Sequence, residues 1–284
     1  KVLRNTVPAQ IGGGTVRYVT PDWHEWHPDP EHREEGGTPG IVESIRGAMA
    51  VSIPNKVGYQ RIAEIENQHR REAEKRFQMT DGLERLGPRH ADQLPIFSMR
   101  FRSDLGELHY GYVVRLLNDL FGIQARGGCS CAGPYGHELL GLTRQRSEAL
   151  AAGVQRGFGC LRPGWVRFNL HWLCDDREVD YILSAMALVA QWGVKLLASY
   201  TLDLQSGLWQ HRDAPATPPL RLDVFADSVL IPEPVTIAKP HQVLEAAEDT
   251  LRSGAPQRHR EQSVDHFHRA PWPAEIESLC WFLR

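Results

Sequence analysis

An arginine, two glycines and two cysteines stand together at Arg126-Gly-Gly-Cys-Ser-Cys131. A second glycine-rich turn, Ala132-Gly-Pro-Tyr-Gly-His137, follows at once. These residue types suit nucleophilic thiol chemistry. A reactive thiolate needs exposure and a nearby cation that lowers its pKa, and Cys131 with Arg126 could meet both needs. Metal ligation is a second use of the same residues, through Cys129, Cys131, His137 and Cys160. The Cys-x-Cys spacing departs from the usual Cys-x₂-Cys pattern of such sites. A third candidate is Arg167, between Val166 and Phe168. Its guanidinium either points to solvent or faces inward to hold a carboxylate through two parallel hydrogen bonds. A fourth is Gly36-Gly37-Thr38. Thr38 suits a helix N-cap with Pro39 in the first turn, and the same helix end could instead offer N–H groups and a hydroxyl to an anion.

The elements that must position these groups follow from spacing. Val113, Val114, Leu116, Leu117, Leu120 and Phe121 have helical period, and Gly122 ends the run. Ile123-Gln-Ala reads as a short strand leading into the cysteine loop, and Trp165 to His171 as another. Asp175 with Glu178 forms a capping-box pattern before a helix over 176–192, closed by Gly193. Upstream, Gly12-Gly-Gly14 feeds a strand over 15–20, and residues 21–34 read as an exposed connection. One helix follows with Ile41, Val42, Ile45, Ala48 and Met49 on one face, and a charged helix spans about 57–77. Gly87-Pro88 breaks the chain before a strand at 95–101. Lys239-Pro240 starts a short helix, a polar basic stretch covers 254–268, and a last short helix docks within 273–284.

Composition bounds the class. The chain has 284 residues, 42% hydrophobic and 24% charged, with a net charge of −3. That balance is ordinary for a soluble protein and gives no reason to expect nucleic acid or an acidic membrane as partner. The longest apolar runs read as too short to cross a bilayer. Five cysteines without secretory context point to reduced thiols and a cytoplasmic location. The chain opens on Lys1, which reads as an internal start.

The glycine turn and strand, Arg33-Glu-Glu-Gly-Gly-Thr-Pro39, Leu116 through His137, and Pro163-Gly-Trp-Val-Arg-Phe-Asn-Leu-His171 occur in an order that resembles class V aminotransferase-fold enzymes. These use pyridoxal phosphate (PLP), and the group includes the cysteine desulfurases and selenocysteine lyases. The resemblance covers residues 1 to about 212. It implies an α/β chain of PLP fold type I, seen in its C-terminal portion. On that basis 1–90 is the remainder of the large PLP-binding domain, 91–212 a small α+β domain and 213–284 an extension, partly disordered. It further implies a homodimer acting on a small amino-acid substrate.

Residue by residue, the resemblance gives Gly37 and Thr38 to the cofactor phosphate of the partner subunit, Arg167 and Arg126 to the substrate, and Cys131 to persulfide formation. Desulfurases with this loop carry His-His before the cysteine, where Cys129-Ser130 stands here. The lysine that anchors PLP is expected upstream, because Lys1, Lys56, Lys75, Lys195 and Lys239 have no matching setting. The competing expectations are a non-catalytic, dimer-forming remnant of the fold, and a thiol- or metal-binding module.

Overall fold

The computed structural model describes residues 4–88, 93–129, 133–214, 239–254, 272 and 274–283. The chain separates into two compact units, residues 1–62 and 63–284. The division falls inside a helix, away from the residue-90 boundary that the sequence suggests.

In the first unit β1 (Val16–Val19) pairs antiparallel with β2 (His24–Trp26), so part of the expected exposed connection is a hairpin. Its turn is built by Thr20, whose hydroxyl accepts from the Trp23 N–H at 2.9 Å. Helix α1 (Pro30–Glu34) is capped by Asp29. Helix α2 covers Ile41–Val57 and its N-cap is Gly40, with no side-chain cap. The expected cap at Thr38 is therefore displaced by two residues. The reason is local: Ile41 donates to Pro39 O in a tight turn, and the first helical bond is Ser44 N–H to Gly40 O. No residue of α2 is buried, and Ile41, Val42, Ile45 and Met49 are all more than half exposed.

Helix α3 (Tyr59–Gln78) leads into the second unit. There follow β3 (Leu83–Arg85), β4 (Ile96–Ser103), β5 (Gly106–Leu108), α4 (Tyr110–Phe121), β6 (Arg126–Gly128), α5 (Gly133–Leu139) and α6 (Arg144–Gln155). Then come β7 (Trp165–Asn169), α7 (Asp176–Trp192), the hairpin β8 (Tyr200–Leu202) and β9 (Trp209–His211), α8 (Pro240–Ser253) and α9 (Ala274–Glu277). The main sheet is antiparallel in the order β3-β4-β7-β6, with β5 also paired to β4.

Strand alternation sets the two faces of this sheet. Phe97, Met99 and Phe101 of β4 and Val166 and Phe168 of β7 point into the core. Helices α4 and α7 supply the other side of that core. Val113, Leu116, Leu117 and Phe121 are buried on α4, and Leu183, Met186 and Val189 on α7. Gly122 ends α4 in the left-handed region, φ 66°, where glycine carries no steric penalty. The Asp175–Glu178 capping box forms as expected. Residues Asp176–Ser199 are long and apolar enough to cross a membrane by length and composition, which the sequence survey missed. In this fold their apolar side chains fill the core.

His109 anchors the end of this core beside β5. It is fully buried and caps α4. Its Nδ1 accepts from the Gly111 N–H and from Trp209 Nε1, both at 3.0 Å. Its Nε2 lies 3.2 Å from Cys160 O, which assigns the ring proton to Nε2. With every ring nitrogen committed, burial pushes its pKa down to about 3.

Candidate functional site

The site is built at one end of the sheet, where outward-facing arginines of β6 and β7 meet the first turns of α7. Residues facing inward from β4 and β7 alternate with Ser98, Arg100, Arg102 and Arg167, which face out. The register places Arg167 opposite Ser98 on one side and opposite Arg126 on the other. Arg126, expected in the loop, is instead the first residue of β6. The expected strand at 123–125 starts three residues later, because only Arg126–Gly128 reach β7.

Four arginines share this face, and they divide sharply. Arg100 Nε donates to Glu107 Oε1 at 2.8 Å, and Glu107 holds the guanidinium firmly charged. Arg102 Nε lies 3.1 Å from Glu84 Oε2. The guanidiniums of Arg126 and Arg167 have neither a hydrogen bond nor an ion pair among the described residues. Like charges directly opposite on neighbouring strands destabilise a sheet. An uncompensated arginine pair at such a position is therefore a cost that an anionic ligand would remove.

Both guanidiniums line a cleft of about 1210 Å³. Ile96, Phe168 and Tyr181 supply its apolar wall. A third arginine, Arg177, enters from α7, and its guanidinium is likewise without a partner among the described residues. Sequence reasoning passed over it. The available signal was a cation two residues beyond the N-cap, the end where the helix dipole disfavours positive charge. The cleft's two carboxylates are already committed: Asp175 accepts from the Arg177 and Glu178 N–H groups, and Glu178 accepts from Asp175 N–H. The arrangement can bind a small carboxylate and bury part of an apolar side chain.

The other expected residues are distributed differently. Cys131 lies outside the described residues. Cys129 is exposed at the end of β6. Cys174 also lines the cleft, but burial raises its thiol pKa, which leaves it a poor nucleophile. Cys160 is buried and its thiol is pushed up to about 12. His137 is held by Ser147 Oγ at 2.9 Å. Among the described residues no group of three or more His, Cys, Asp or Glu side chains is placed to hold a metal ion.

Gly37 and Thr38 belong to the first unit. There the turn Gly12–Gly14 crosses Gly36–Gly37 with the backbones in contact. A Cβ on Gly12 would lie 3.0 Å from the backbone of Gly36. Gly37, at φ 92°, donates its N–H to Gly13 O at 2.8 Å. Thr38 is exposed and makes no hydrogen bond among the described residues. The crossing thus leaves a free hydroxyl beside a side-chain-free cradle, which fits the phosphate of PLP. Gly37 would contribute shape there, since its amide is already used.

The fold class of the chain, PLP fold type I, follows from its likeness to known proteins. The profile of the family Aminotransferase class-V matches residues 1–181, and the chain belongs to that family. A "Probable cysteine desulfurase" of Halobacterium salinarum is 28% identical over 174 residues, 57% of this chain and 40% of that protein. A "Probable cysteine desulfurase" of Staphylococcus epidermidis is 27% identical over 134 residues, 47% of this chain and 31% of that protein. The solved apo structure of the cysteine desulfurase from Thermococcus onnurineus NA1 is 25% identical with a TM-score of 0.51. The likeness covers 64% of this chain and 39% of that one. This chain spans two-fifths or less of the length of these relatives.

Proposed function

We propose that this chain is the substrate-holding portion of a PLP-dependent enzyme that acts on a small amino acid, with cysteine desulfurase-type sulfur abstraction as the reaction. One observation carries the proposal: on a single sheet face Arg100 and Arg102 are paired with glutamates, while Arg126 and Arg167 are left open in a cleft. Arg167 would hold the substrate α-carboxylate, with Arg126 beside it. Thr38 would reach the cofactor phosphate of the partner subunit, with Gly37 shaping the cradle. PLP, when bound, supplies an electron sink for bond breaking at the amino acid's α-carbon. Cys131 would receive the substrate sulfur as its thiolate nucleophile. The resemblance to cysteine desulfurases supports that role and the departure at Cys129-Ser130 weighs against it.

Further proposals follow from the family. Residues 1–90 would be the remainder of the PLP domain and 91–212 the small domain. The working form would be a homodimer, for which the open apolar side of α2 offers an association surface. Free thiols at Cys129, Cys160 and Cys174 support a cytoplasmic setting. The same open α2 favours a second reading, a non-catalytic remnant that only dimerises.

On its own the chain would be inactive, because the resembled family anchors PLP on a lysine in a setting that Lys1, Lys56, Lys75, Lys195 and Lys239 do not match. The test is to mix the protein with PLP, reduce with borohydride and map the adducts. The expected result is scattered substoichiometric labelling. A single stoichiometric adduct on any one lysine would overturn it.

A further inference from the structure

The last residues of the chain dock on the second unit at one place. Leu283 N–H donates to Glu107 O at 2.8 Å, and Trp281 Nε1 donates to Leu161 O at 3.2 Å. Arg146 donates to Ser278 O and Leu279 O, fixing the turn after α9. Phe282 and Ile276 are buried. These contacts lie beyond residue 181, where the family match ends.

Trp281 does more than fill space. Its ring stacks on His109, with centroids 5.4 Å apart, and on Tyr110, at 6.1 Å and 24° between planes. Tyr110 in turn packs on the backbone of β6. A Cβ on Gly127 would come within 2.8 Å of the Tyr110 ring, and one on Gly164 within 2.7 Å of the same ring and 2.6 Å of Gly128. Glycine at these positions brings ring and strand into close contact. Beneath this stack His109 is immobilised by Cys160 O, Gly111 N–H and Trp209. A continuous line of contacts therefore runs from Trp281 through Tyr110 to Gly127-Gly128. That segment carries Arg126 at one end and Cys129 at the other.

We infer that the C-terminal segment is a brace for residues 126–129, with Trp281 as a positioning residue that acts through Tyr110. Short glycine strands have little side-chain packing to hold them, so their order must come from what covers them. Here the nearest cover is the Tyr110 ring, with a Val114 methyl beside it at Gly127, and Trp281 backs that ring. The consequence for Arg126 as a substrate ligand rests on the proposed function; the ordering of the segment does not.

The experiment uses the full chain without ligand. Amide hydrogen exchange is measured at residues 126–129, with alkylation of Cys129 by iodoacetamide in parallel. Trp281→Ala should speed both by about tenfold, the scale of one lost aromatic contact. Exchange in α7 should stay unchanged, and Trp281→Phe should restore the segment. Unchanged rates at 126–129, or an equal rise throughout the second unit, would overturn the brace and leave Trp281 as a general packing residue. Should Trp281→Ala fail to fold, Tyr110→Leu decides. It leaves the C-terminal contacts at Leu161 and Glu107 in place, and the same local loosening is expected of it. Wild-type exchange at 126–129 in that variant would refute the relay. Normal amino-acid binding by Trp281→Ala with a loosened segment would count against Arg126 as a ligand and spare the brace.

Discussion

Alanine at Arg167 is expected to weaken amino-acid binding by the complete PLP enzyme by roughly 30-fold to several thousand-fold. Removing one partner of a desolvated, hydrogen-bonded charge pair costs about 2–5 kcal/mol, which sets that range. The effect should appear in substrate affinity for every amino acid tested, since all share the α-carboxylate. Cys131→Ala is the informative contrast. It should abolish sulfide release from cysteine and leave binding intact, because a sulfur acceptor acts on turnover. Wild-type affinity in Arg167→Ala would remove the carboxylate assignment. Full sulfur release by Cys131→Ala would remove the persulfide assignment and turn attention to Cys129.

The second large effect is on stability and depends on pH. His109 has a folded pKa of about 3 against an ordinary value of 6.5. The unfolded chain therefore binds a proton between these values that the native ring refuses. Stability is undiminished above about pH 6.5, falls as pH drops below it, and the loss is complete once pH passes the folded value. By about pH 4.5 the loss should be about 2–3 kcal/mol from this residue. Urea unfolding of wild type and His109→Gln at neutral and acidic pH measures it. The variant starts weaker, having lost the Trp209 and Cys160 contacts, but its decline toward acid should be shallower. Equal declines would mean that the burial of His109 does not govern acid sensitivity.

Helices α4 and α7 were legible because several signals agreed. Each has apolar residues at helical spacing and a glycine at the far end, and α7 also has Asp175 and Glu178 in place. The hairpin after Val19 was not legible. His24-Glu-Trp26 lacks an apolar alternation, and its pairing depends on a Thr20 turn that resembles any polar loop. The start of α2 was misplaced because Thr-Pro is a good cap signal, and nothing local shows that Pro39 is used in a tight turn.

At the site, residue types were legible and pairings were not. Arg126 and Arg167 could be named as candidates from their surroundings. Their cross-strand partnership depends on the register of strands separated by α5 and α6, which no local pattern encodes. The distinction between Arg126 or Arg167 and the neutralised Arg100 and Arg102 depends on two further registers, β3 with β4 and β4 with β5, which bring Glu84 and Glu107 alongside. The C-terminal segment carries no periodicity, so only the presence of Trp281 and Phe282 hinted that it docks.

The most direct test of the central claim uses those four arginines as their own control. The guanidinium Nε–H resonances of Arg100, Arg102, Arg126 and Arg167 are followed by NMR while L-alanine is titrated into the protein. The account predicts that Arg126 and Arg167 shift together and saturably, while Arg100 and Arg102, held by Glu107 and Glu84, stay still. Stationary Arg126 and Arg167 signals, or four arginines moving alike, would contradict it.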